Sequence, residues 1–474
     1  MTTDTVIPRP APAVPVERLA QTFQRFTEIS GISGILLLFA TIVALIWANS
    51  PLAHLYDQFL HLPITVGIDG LFTMKQGLLI WVDDGLMTIF FFLVGLEIKR
   101  ELLIGELSTP RQAALPILAA IGGMAVPALI YTLFNAGGAG AAGWGIPMAT
   151  DIAFSLGVLS LLGRRVPVSL KIFLTAFAIA DDLGAVLVIA IFYTETLAWN
   201  SLLIGLAGIA GLALFNRAGG RALTIYTGFA IVSWLGFFHS GVHATIAGVL
   251  AAMTIPVHQR INSNKFLDFS NKLLHIFQKE GVVGEDVYPN SQQRAVLREL
   301  ERACELVETP LHRLEHMLQP WVSFAIMPLF ALVNAGVHID PESLSELLHP
   351  VSLGIILGLV VGKLVGISLT TFLAVRLKLA TLPSDATWPQ IIGISALGGM
   401  GFTMSLFVAG LAFGQGHAGA VHPVSAEMEA LHSIAKIGIL TASTIAGLLG
   451  ALLLHRAGRD VSQADAGTDA PATG

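Results

Sequence analysis

The sequence predicts an all-α polytopic membrane protein. Of its 474 residues, 54% are hydrophobic and only 12% are charged, whereas about 25% of the residues in a soluble domain carry charge. Its many apolar runs have the length of about 20 residues that a membrane-spanning helix needs, and they lack the alternation over about 10 residues that marks a membrane barrel strand. We therefore expect the lipid bilayer as a partner.

The apolar runs divide into twelve predicted transmembrane helices. They cover residues 31–49, 77–97, 113–134, 145–163, 168–193, 201–216, 222–238, 241–257, 321–337, 351–375, 388–411 and 430–454. When both termini are placed in the cytoplasm, Lys75 is almost the only basic residue on the outer side, as the positive-inside rule requires. The basic residues that then fall on the inner side include Arg18, Arg25, Lys99, Arg100, Arg111, Arg164, Arg165, Arg217, Arg221, Arg313, Arg376, Lys378, Arg456 and Arg459.

The polar segments complete the predicted organisation. Residues 1–28 are rich in proline and lack the features of a signal peptide, so they predict a disordered cytoplasmic tail. Residues 29–257 contain helices 1–8, and residues 321–455 contain helices 9–12. Between them, residues 258–320 predict an extended cytoplasmic loop with an amphipathic helix that is interrupted at Pro310. Residues 456–474 predict a second disordered cytoplasmic tail.

A β-hairpin is predicted at residues 62–76, between the first two helices. Ile64, Val66 and Ile68 alternate with small or polar residues and lead to Asp69-Gly70, a strong two-residue turn signal. Because an isolated hairpin is only marginally stable, we expect it to lie on the outer face and pair with another subunit in a homodimer. An irregular loop is the alternative.

Two adjacent acidic residues, Asp181 and Asp182, lie within the apolar run TAFAIADDLGAVLV. A carboxylate at the centre of a membrane helix costs at least about 2.5 kcal/mol, so such residues predict a functional site. Neighbouring side chains on a helix point about 100° apart. One carboxylate can therefore face a packed helix while the other faces a water-filled cavity, as suits a site for cations and protons.

Two of the predicted helices are interrupted. The fourth contains Pro147 followed by Thr150-Asp151, and the eleventh contains Gly398, Gly399 and Gly401. Interrupted helices at corresponding positions of two halves are typical of transporter binding sites. They predict two broken helices within inverted repeats formed by helices 3–5 and 10–12.

The ends of broken helices carry partial charges that need ionic partners. Asp151 is placed to offset the positive ends, although it also fits an ordinary buried N-cap. Lys363 lies beside a stripe of glycines repeating every fourth residue from Gly354 to Gly366, so it should point into the protein. We predict that it pairs with one of the central aspartates, either as a proton-carrying group or as a purely structural ion pair.

A group of charged residues lies near the predicted cytoplasmic ends of helices 2 and 9. Such interfacial charges usually anchor a helix, but they also fit a gating role. His243, at the start of helix 8, is either a packing residue or a group that titrates near neutral pH. The residues in question are Glu97, Arg100, Arg313, Glu315, His316 and His243.

Several longer strings resemble the NhaA-type sodium/proton antiporter family. They are DDGLMTIFFFLVGLEIKREL, ATDIAFSLGVLSLLG, AFAIADDLGAVLVIAIFYT, SGVHATIAG, LEHMLQPWVSFAIMPLFALVNAG, VGKLVGI and GGMGFTMSLF. The resemblance implies a bacterial inner-membrane homodimer that exchanges cytoplasmic Na⁺ or Li⁺ for external H⁺ by alternating access. It also implies that the two broken helices cross, and it implies electrogenic transport, activation at alkaline pH, and a role in pH and sodium homeostasis. A protein of this kind is a secondary transporter and not an enzyme, so the resemblance implies no cofactor and no nucleic-acid partner.

The resemblance also implies roles for individual residues. Asp182 would be the main carboxylate that binds Na⁺ or Li⁺ transiently and carries protons, with Asp181 beside it and paired with Lys363. Thr150 and Asp151 would lie at the crossing of the broken helices. Glu97, Arg100, His243, Arg313, Glu315 and His316 would contribute to the pH response. The chain departs from the family pattern at Gln319, where a histidine is usual, and in its longer loop before Arg313.

Other classes of membrane protein fit the sequence less well. An intramembrane aspartic protease needs two carboxylates that converge from separate helices, whereas the obvious pair here is adjacent. A sodium-coupled symporter of organic anions with the same crossed helices would need a larger cavity. A channel is disfavoured because the chain contains no repeated selectivity loop.

Overall fold

The computed structural model describes residues 30–68, 72–194, 197–259, 261–280, 291–339, 343–414 and 425–468. These residues form mainly helices, together with one small antiparallel sheet. Among them, seven helices are long and apolar enough to cross a membrane, and up to ten spans result if each bent pair of helices counts as one. Two shorter apolar helices accompany them. The predicted class, a helical multi-pass membrane protein, is confirmed.

The helices are numbered here in chain order. They are α1 (Ser30–Ala48), α2 (Ala53–Leu60), α3 (Leu78–Leu103), α4 (Pro110–Asn135), α5 (Ile152–Leu162), α6 (Val168–Phe192), α7 (Trp199–Arg217), α8 (Leu223–Phe238), α9 (Ala244–Thr254), α10 (Ser263–Glu280), α11 (Ser291–Val307), α12 (Pro310–Asn334), α13 (Ser343–Glu346), α14 (Pro350–Arg376), α15 (Trp388–Leu397), α16 (Phe402–Phe413) and α17 (Ala426–Thr468). Three of them contain a π-helical turn, at Trp81–Leu86 in α3, Val322–Ile326 in α12 and Gly358–Gly362 in α14.

The predicted hairpin is present. Strands β1 (Pro63–Ile68) and β2 (Phe72–Gly77) pair in an antiparallel register that places Val66 opposite Met74. The indole Nε1 of Trp81 donates a hydrogen bond of 3.2 Å to the Ile64 carbonyl, which fixes the hairpin to the start of α3. The predicted turn residues Asp69 and Gly70 lie outside the described residues.

Both predicted helix interruptions are present. A 3-10 helix, Ala139–Met148, is bent by 42° relative to α5, and α15 is bent by 43° relative to α16. Extended backbone at Ala149 and Asp151 separates the first pair. In the second break, a Cβ on Gly399 would lie 2.3 Å from the Leu359 carbonyl oxygen, so only glycine fits this approach to α14.

The glycine stripe of α14 packs against α4. A Cβ on Gly366 would lie 2.2 Å from the carbonyl oxygen of Gly122, and one on Gly362 would lie 2.9 Å from Pro127 Cα. Small residues thus allow the two helices to approach closely. This packing holds α14 in the orientation that buries Lys363, whose exposed fraction is 0%.

The segment before the ninth apolar helix differs from the prediction. Helices α10 and α11 pack against each other, α11 ends at Val307, and α12 begins at Pro310. The predicted start of this membrane helix at residue 321 is therefore too late. The Thr309 hydroxyl accepts a hydrogen bond of 3.2 Å from His312 N, so Thr309 caps α12 and Pro310 occupies its first turn.

The C-terminal helix is longer than expected. The sequence predicts a disordered tail for residues 456–474, but α17 continues to Thr468. Residues 459–466 contain neither proline nor glycine, so nothing in their backbone ends the helix that enters from the bundle.

Candidate ion-binding site

The centre of the bundle contains an ion pair between α6 and α14. Lys363 Nζ donates a hydrogen bond of 2.7 Å to Asp181 Oδ2 and another of 2.9 Å to Thr150 Oγ1. Asp181, Lys363 and Thr150 are each 0% exposed. The Lys363 ammonium group therefore connects α14, which carries it, to α6 and to the break before α5.

Asp151 connects the N-terminal ends of α5 and α16, which are the second halves of the two broken helices. Its Oδ1 accepts a 3.0 Å hydrogen bond from Phe154 N in α5, and its Oδ2 accepts a 3.1 Å bond from Thr403 N in α16. The Thr403 hydroxyl also donates to Oδ2. A carboxylate near the positive ends of two helices is stabilised by both. Asp151 is thus an N-cap of α5 and, at the same time, the connection to α16.

The carbonyl end of α15 receives donors from the other broken helix. Thr150 Oγ1 donates to the Gly398 carbonyl over 2.8 Å, and Ser155 Oγ donates to the Leu397 carbonyl over 3.1 Å. The Asp151 amide donates to the Met400 carbonyl over 2.7 Å. Because Thr150 also accepts from Lys363, the positive charge of the lysine lies close to this negative helix end.

Asp182 is buried beside these groups, with an exposed fraction of 1%. Its Oδ1 and the Oδ1 of Asp181 are buried atoms without a hydrogen-bond partner among the described residues. Buried carboxylate oxygens are costly without a partner, and a proton or a small hard cation can satisfy them. Asp182 also lies within electrostatic range of Glu97 and Asp151, so added positive charge is favourable here.

Asp181 and Asp182 are both buried in this conformation, with exposed fractions of 0% and 1%. Neither of them lines the cavities around Asp83, Lys99 and Leu45. Lys363 of α14 and Thr150 of the first helix break lie against the Asp181 side instead. That one carboxylate faces a water-filled cavity during transport therefore stays a prediction.

A second charged group, the Arg100 cluster, consists of Glu97, Arg100, Glu101 and Glu315. Arg100 Nη1 lies 2.5 Å from Glu315 Oε1, and Nη2 lies 3.1 Å from Glu101 Oε1. Glu97 interacts electrostatically with Glu315 and Arg100, and also with Asp182. The cluster thus connects α3 to α12, and Glu97 lies on the side that leads to the central site.

The remaining candidates lie on α12 and at the start of α9. Arg313, His316 and Gln319 are exposed on α12, and the His316 ring stacks near His312 with ring centroids 6.5 Å apart. His243 is 2% exposed, and its Nε2 lies 2.6 Å from the carbonyl oxygen of Tyr193, just after α6. His243 therefore contacts the C-terminal end of α6.

Sequence analysis missed the hydroxyl groups that hold the crossing together. Thr403 binds Asp151 directly, and Ser155 and Ser405 donate to carbonyls of the opposite broken helix. A detectable signal was present, since Thr403 and Ser405 closely follow the glycines of the second break. Buried hydroxyls so near freed backbone groups are natural partners for them. Among the described residues, no three His, Cys, Asp or Glu side chains converge as in a resident metal centre.

The chain is similar to known proteins along almost its whole length. Residues 24–454 match the family model described as Na⁺/H⁺ antiporter 1. The chain is 47% identical to a Na⁺/H⁺ antiporter NhaA of Koribacter versatilis, with 94% of each chain covered. It is 48% identical to the NhaA of Oleidesulfovibrio alaskensis, covering 95% of this chain and 96% of that one. The family model and these relatives span the broken helices and the buried acidic pair, and the chain belongs to the Na⁺/H⁺ antiporter 1 family.

Proposed function

We propose that this protein exchanges cytoplasmic Na⁺ or Li⁺ for external H⁺, with Asp182 as the main cation-binding and proton-carrying residue. The observation that carries the proposal is the burial of Asp181, Asp182 and Lys363 beside two broken helices. The relatives' name, Na⁺/H⁺ antiporter, supports the choice of ions.

The exchange follows from competition for one site. Burial disfavours the charged form of a carboxyl group, so an unoccupied Asp182 binds a proton. At high internal pH the proton leaves, and the carboxylate oxygens then accept a small hard cation. When the site opens to the other side, a proton displaces the cation and the protein returns. The unpartnered oxygens of Asp181 and Asp182 support this cycle.

Electrogenic exchange requires more than one proton for each sodium ion. Asp182 supplies one proton-carrying group, and the neighbouring Asp181–Lys363 pair supplies a candidate for the second. Lys363 either releases its proton when the cation binds or remains a fixed charge that holds the crossing together. These two alternatives predict different effects of removing the Lys363 side chain on the net charge that crosses the membrane in each exchange.

The Arg100 cluster supports a role in activation at alkaline pH. Its carboxylates share one guanidinium, so a change in their protonation alters the contact between α3 and α12. Glu97 interacts both with this cluster and with Asp182. We therefore assign the cluster to the pH response, with exposed Arg313 and His316 and distant His243 in lesser roles.

The arrangement in the membrane is also part of the proposal. We infer twelve membrane crossings, with α4 to α6 and α14 to α17 forming inverted repeats, because each set contains a long helix, a broken helix and another long helix. Both termini lie in the cytoplasm of a bacterial cell, and the protein lies in its inner membrane. The hairpin joins two subunits, which the 48% exposure of Val66 supports. The cell uses the exchange for pH and sodium homeostasis.

The direct test uses inside-out vesicles with a preset proton gradient. Addition of Na⁺ should collapse the gradient with the wild-type protein and leave it intact with Asp182→Asn. Asp268→Asn is the matched control, because Asp268 is an exposed carboxylate on α10, and it should behave as wild type. A gradient that collapses equally with Asp182→Asn rejects the assigned site.

A further inference from the structure

A second group of buried charges lies at the hairpin end of the bundle, far along α3 from the Arg100 cluster. There, a cavity of about 100 Å³ is enclosed by α2, α3, α12, α16 and α17. We call it the hairpin-end cavity. The polar residues that line it are Asp83, Asp84, Asn334, His432 and Lys436. This is large enough for several water molecules or for one partly hydrated ion.

The acidic side of this cavity is held in place by neighbouring helices. Asn334 Nδ2 donates a hydrogen bond of 2.7 Å to Asp83 Oδ1. Asp84 is 6% exposed, and its carbonyl accepts a 2.9 Å hydrogen bond from Trp234 Nε1. Both aspartates belong to the π-helical turn of α3. Such turns occur frequently at functional sites, and this one presents two adjacent carboxyl groups to the same cavity.

The basic side of the cavity comes from α17. Lys436 lines the cavity and interacts electrostatically with Asp83. His432, one helical turn before it, contributes a buried Nε2 that has no hydrogen-bond partner among the described residues. A buried polar atom of this kind requires a ligand or water to satisfy it. No carboxylate, lysine, arginine or histidine from α2, α12 or α16 lines the cavity within the described residues.

The chemical groups match those of the central site. Each place combines two adjacent aspartates on one helix with a lysine from another, and each lies at or beside a π-helical turn. The difference is in the distance between the charges. Lys363 Nζ lies 2.7 Å from Asp181, whereas in the described part of the chain no direct ion pair joins Lys436 to Asp83, and both line the cavity.

We propose that the hairpin-end cavity is a second site for a monovalent alkali cation, which binds to the carboxylates of Asp83 and Asp84 when Lys436 releases its proton. The ammonium group loses one proton to water and the sodium ion brings one positive charge, so the total charge in the cavity is unchanged. The choice of sodium rests on the proposed function. The site would take the ion on its way between the central aspartates and the hairpin side of the membrane.

The test separates this site from the central one by measuring proton release from purified protein. Sodium chloride is added to weakly buffered Asp182→Asn protein at mildly alkaline pH, with choline chloride as the reference salt. We expect Na⁺ to release protons from Asp182→Asn, and this release to be lost in Asp182→Asn/Lys436→Arg. Arginine keeps its proton and positive charge, so it occupies the cavity without exchange. Asp182→Asn/Glu429→Gln is the matched control, because Glu429 is exposed on the same helix, and it should release as much as Asp182→Asn.

Two outcomes would overturn the proposal. One is that Asp182→Asn releases no protons when Na⁺ is added. The other is that the Lys436→Arg variant releases as many as its parent, which would assign the release to groups other than Lys436. Thermal unfolding of each variant verifies that it is folded. If the Lys436→Arg variant is not folded, Lys436→Gln replaces it in the same comparison, because glutamine has no proton to release. Sodium-dependent gradient collapse by the wild type tests the proposed function separately, so the two can fail independently.

Discussion

The central site and the Arg100 cluster contain the same kind of ion pair in different surroundings. Lys363 and Asp181 are 2.7 Å apart and both side chains are 0% exposed. Arg100 and Glu315 are 2.5 Å apart, but the arginine side chain is 36% exposed while the glutamate side chain is 7% exposed. Removing one partner of a buried pair costs about 3–5 kcal/mol, whereas a pair on the surface contributes about 0–1 kcal/mol, and a half-buried pair lies between these limits. Similar distances therefore do not imply equal stability, and the pair with the partly exposed arginine is the one that can change partners at the lower cost.

The largest effect should follow from breaking the central pair. Lys363→Ala leaves the Asp181 carboxylate buried without its cation, so we expect the free energy of unfolding in detergent to fall by about 3–5 kcal/mol. Asp181→Asn/Lys363→Met removes both charges and should recover most of this loss. Chemical denaturation of the single and double variants measures the difference.

The same Lys363→Ala variant distinguishes the two roles of the lysine. If the lysine carries a proton, transport persists after the protein is stabilised, but no net charge moves across the membrane. If it is only structural, stability falls and the remaining transport is still electrogenic. For the stability prediction, the contradicting result is an Asp181→Asn/Lys363→Met variant that is as unstable as Lys363→Ala, because the unpaired buried charge would then not be the cause of the loss.

An intermediate effect is expected from the hydrogen bond that joins the broken helices. Thr403→Val keeps the side-chain volume but removes the hydroxyl that donates to buried Asp151. Hydrogen bonds to charged groups contribute about 1.5–3 kcal/mol, so we expect a loss of this size and a higher sodium concentration for half-maximal transport. In Thr444→Val the lost hydroxyl is exposed on α17 and binds only its own helix, and both quantities should stay close to wild type.

A smaller effect on stability is expected in the Arg100 cluster. Glu315→Gln should lower the free energy of unfolding by about 1–2 kcal/mol, between the values for surface and fully buried pairs, because Arg100 is partly exposed to water. It should also shift the pH dependence of transport, since it removes a titrating group that binds Arg100. Glu299→Gln, in the exposed pair with Arg302, is the matched control. An unshifted pH profile in Glu315→Gln would separate the cluster from the pH response.

The smallest effect is expected at Gln319. Its side chain is exposed, so Gln319→His should alter the free energy of unfolding by less than about 0.5 kcal/mol. We also expect the pH profile of gradient collapse to stay unchanged, since the Arg100 cluster forms without this residue. A clear shift would show that the departure from the family pattern at this position affects regulation.

The parts of the site that sequence analysis predicted are those in which charge interrupts an apolar run. Asp181, Asp182 and Lys363 are visible for this reason, and so are the two helix breaks, marked by Pro147 and the glycines around Gly399. Membrane helices tolerate such residues only where protein or ions compensate them. The hairpin was predictable from strand alternation and its turn residues.

The parts that were missed depend on contacts between residues remote in the chain. Thr403 looks like an ordinary helix residue until the fold brings it to Asp151. Lys436 and His432 lie in the last apolar run, and their importance appears only when α17 packs beside Asp83. The start of α12 was misplaced for another reason, because Thr309-Pro310 both ends one helix and begins the next, and it was interpreted only as an interruption.

The π-helical turn before Lys363 offers a way for this lysine to move in the proposed transport cycle. A π turn accommodates one extra residue in an otherwise regular helix. If that extra residue moves past Lys363, the side chain rotates by about 100° around the axis of α14 and leaves Asp181, while the rest of the helix keeps its hydrogen bonds. The ammonium can therefore be disengaged by a slip in backbone register, without tilting or unfolding the helix that carries it.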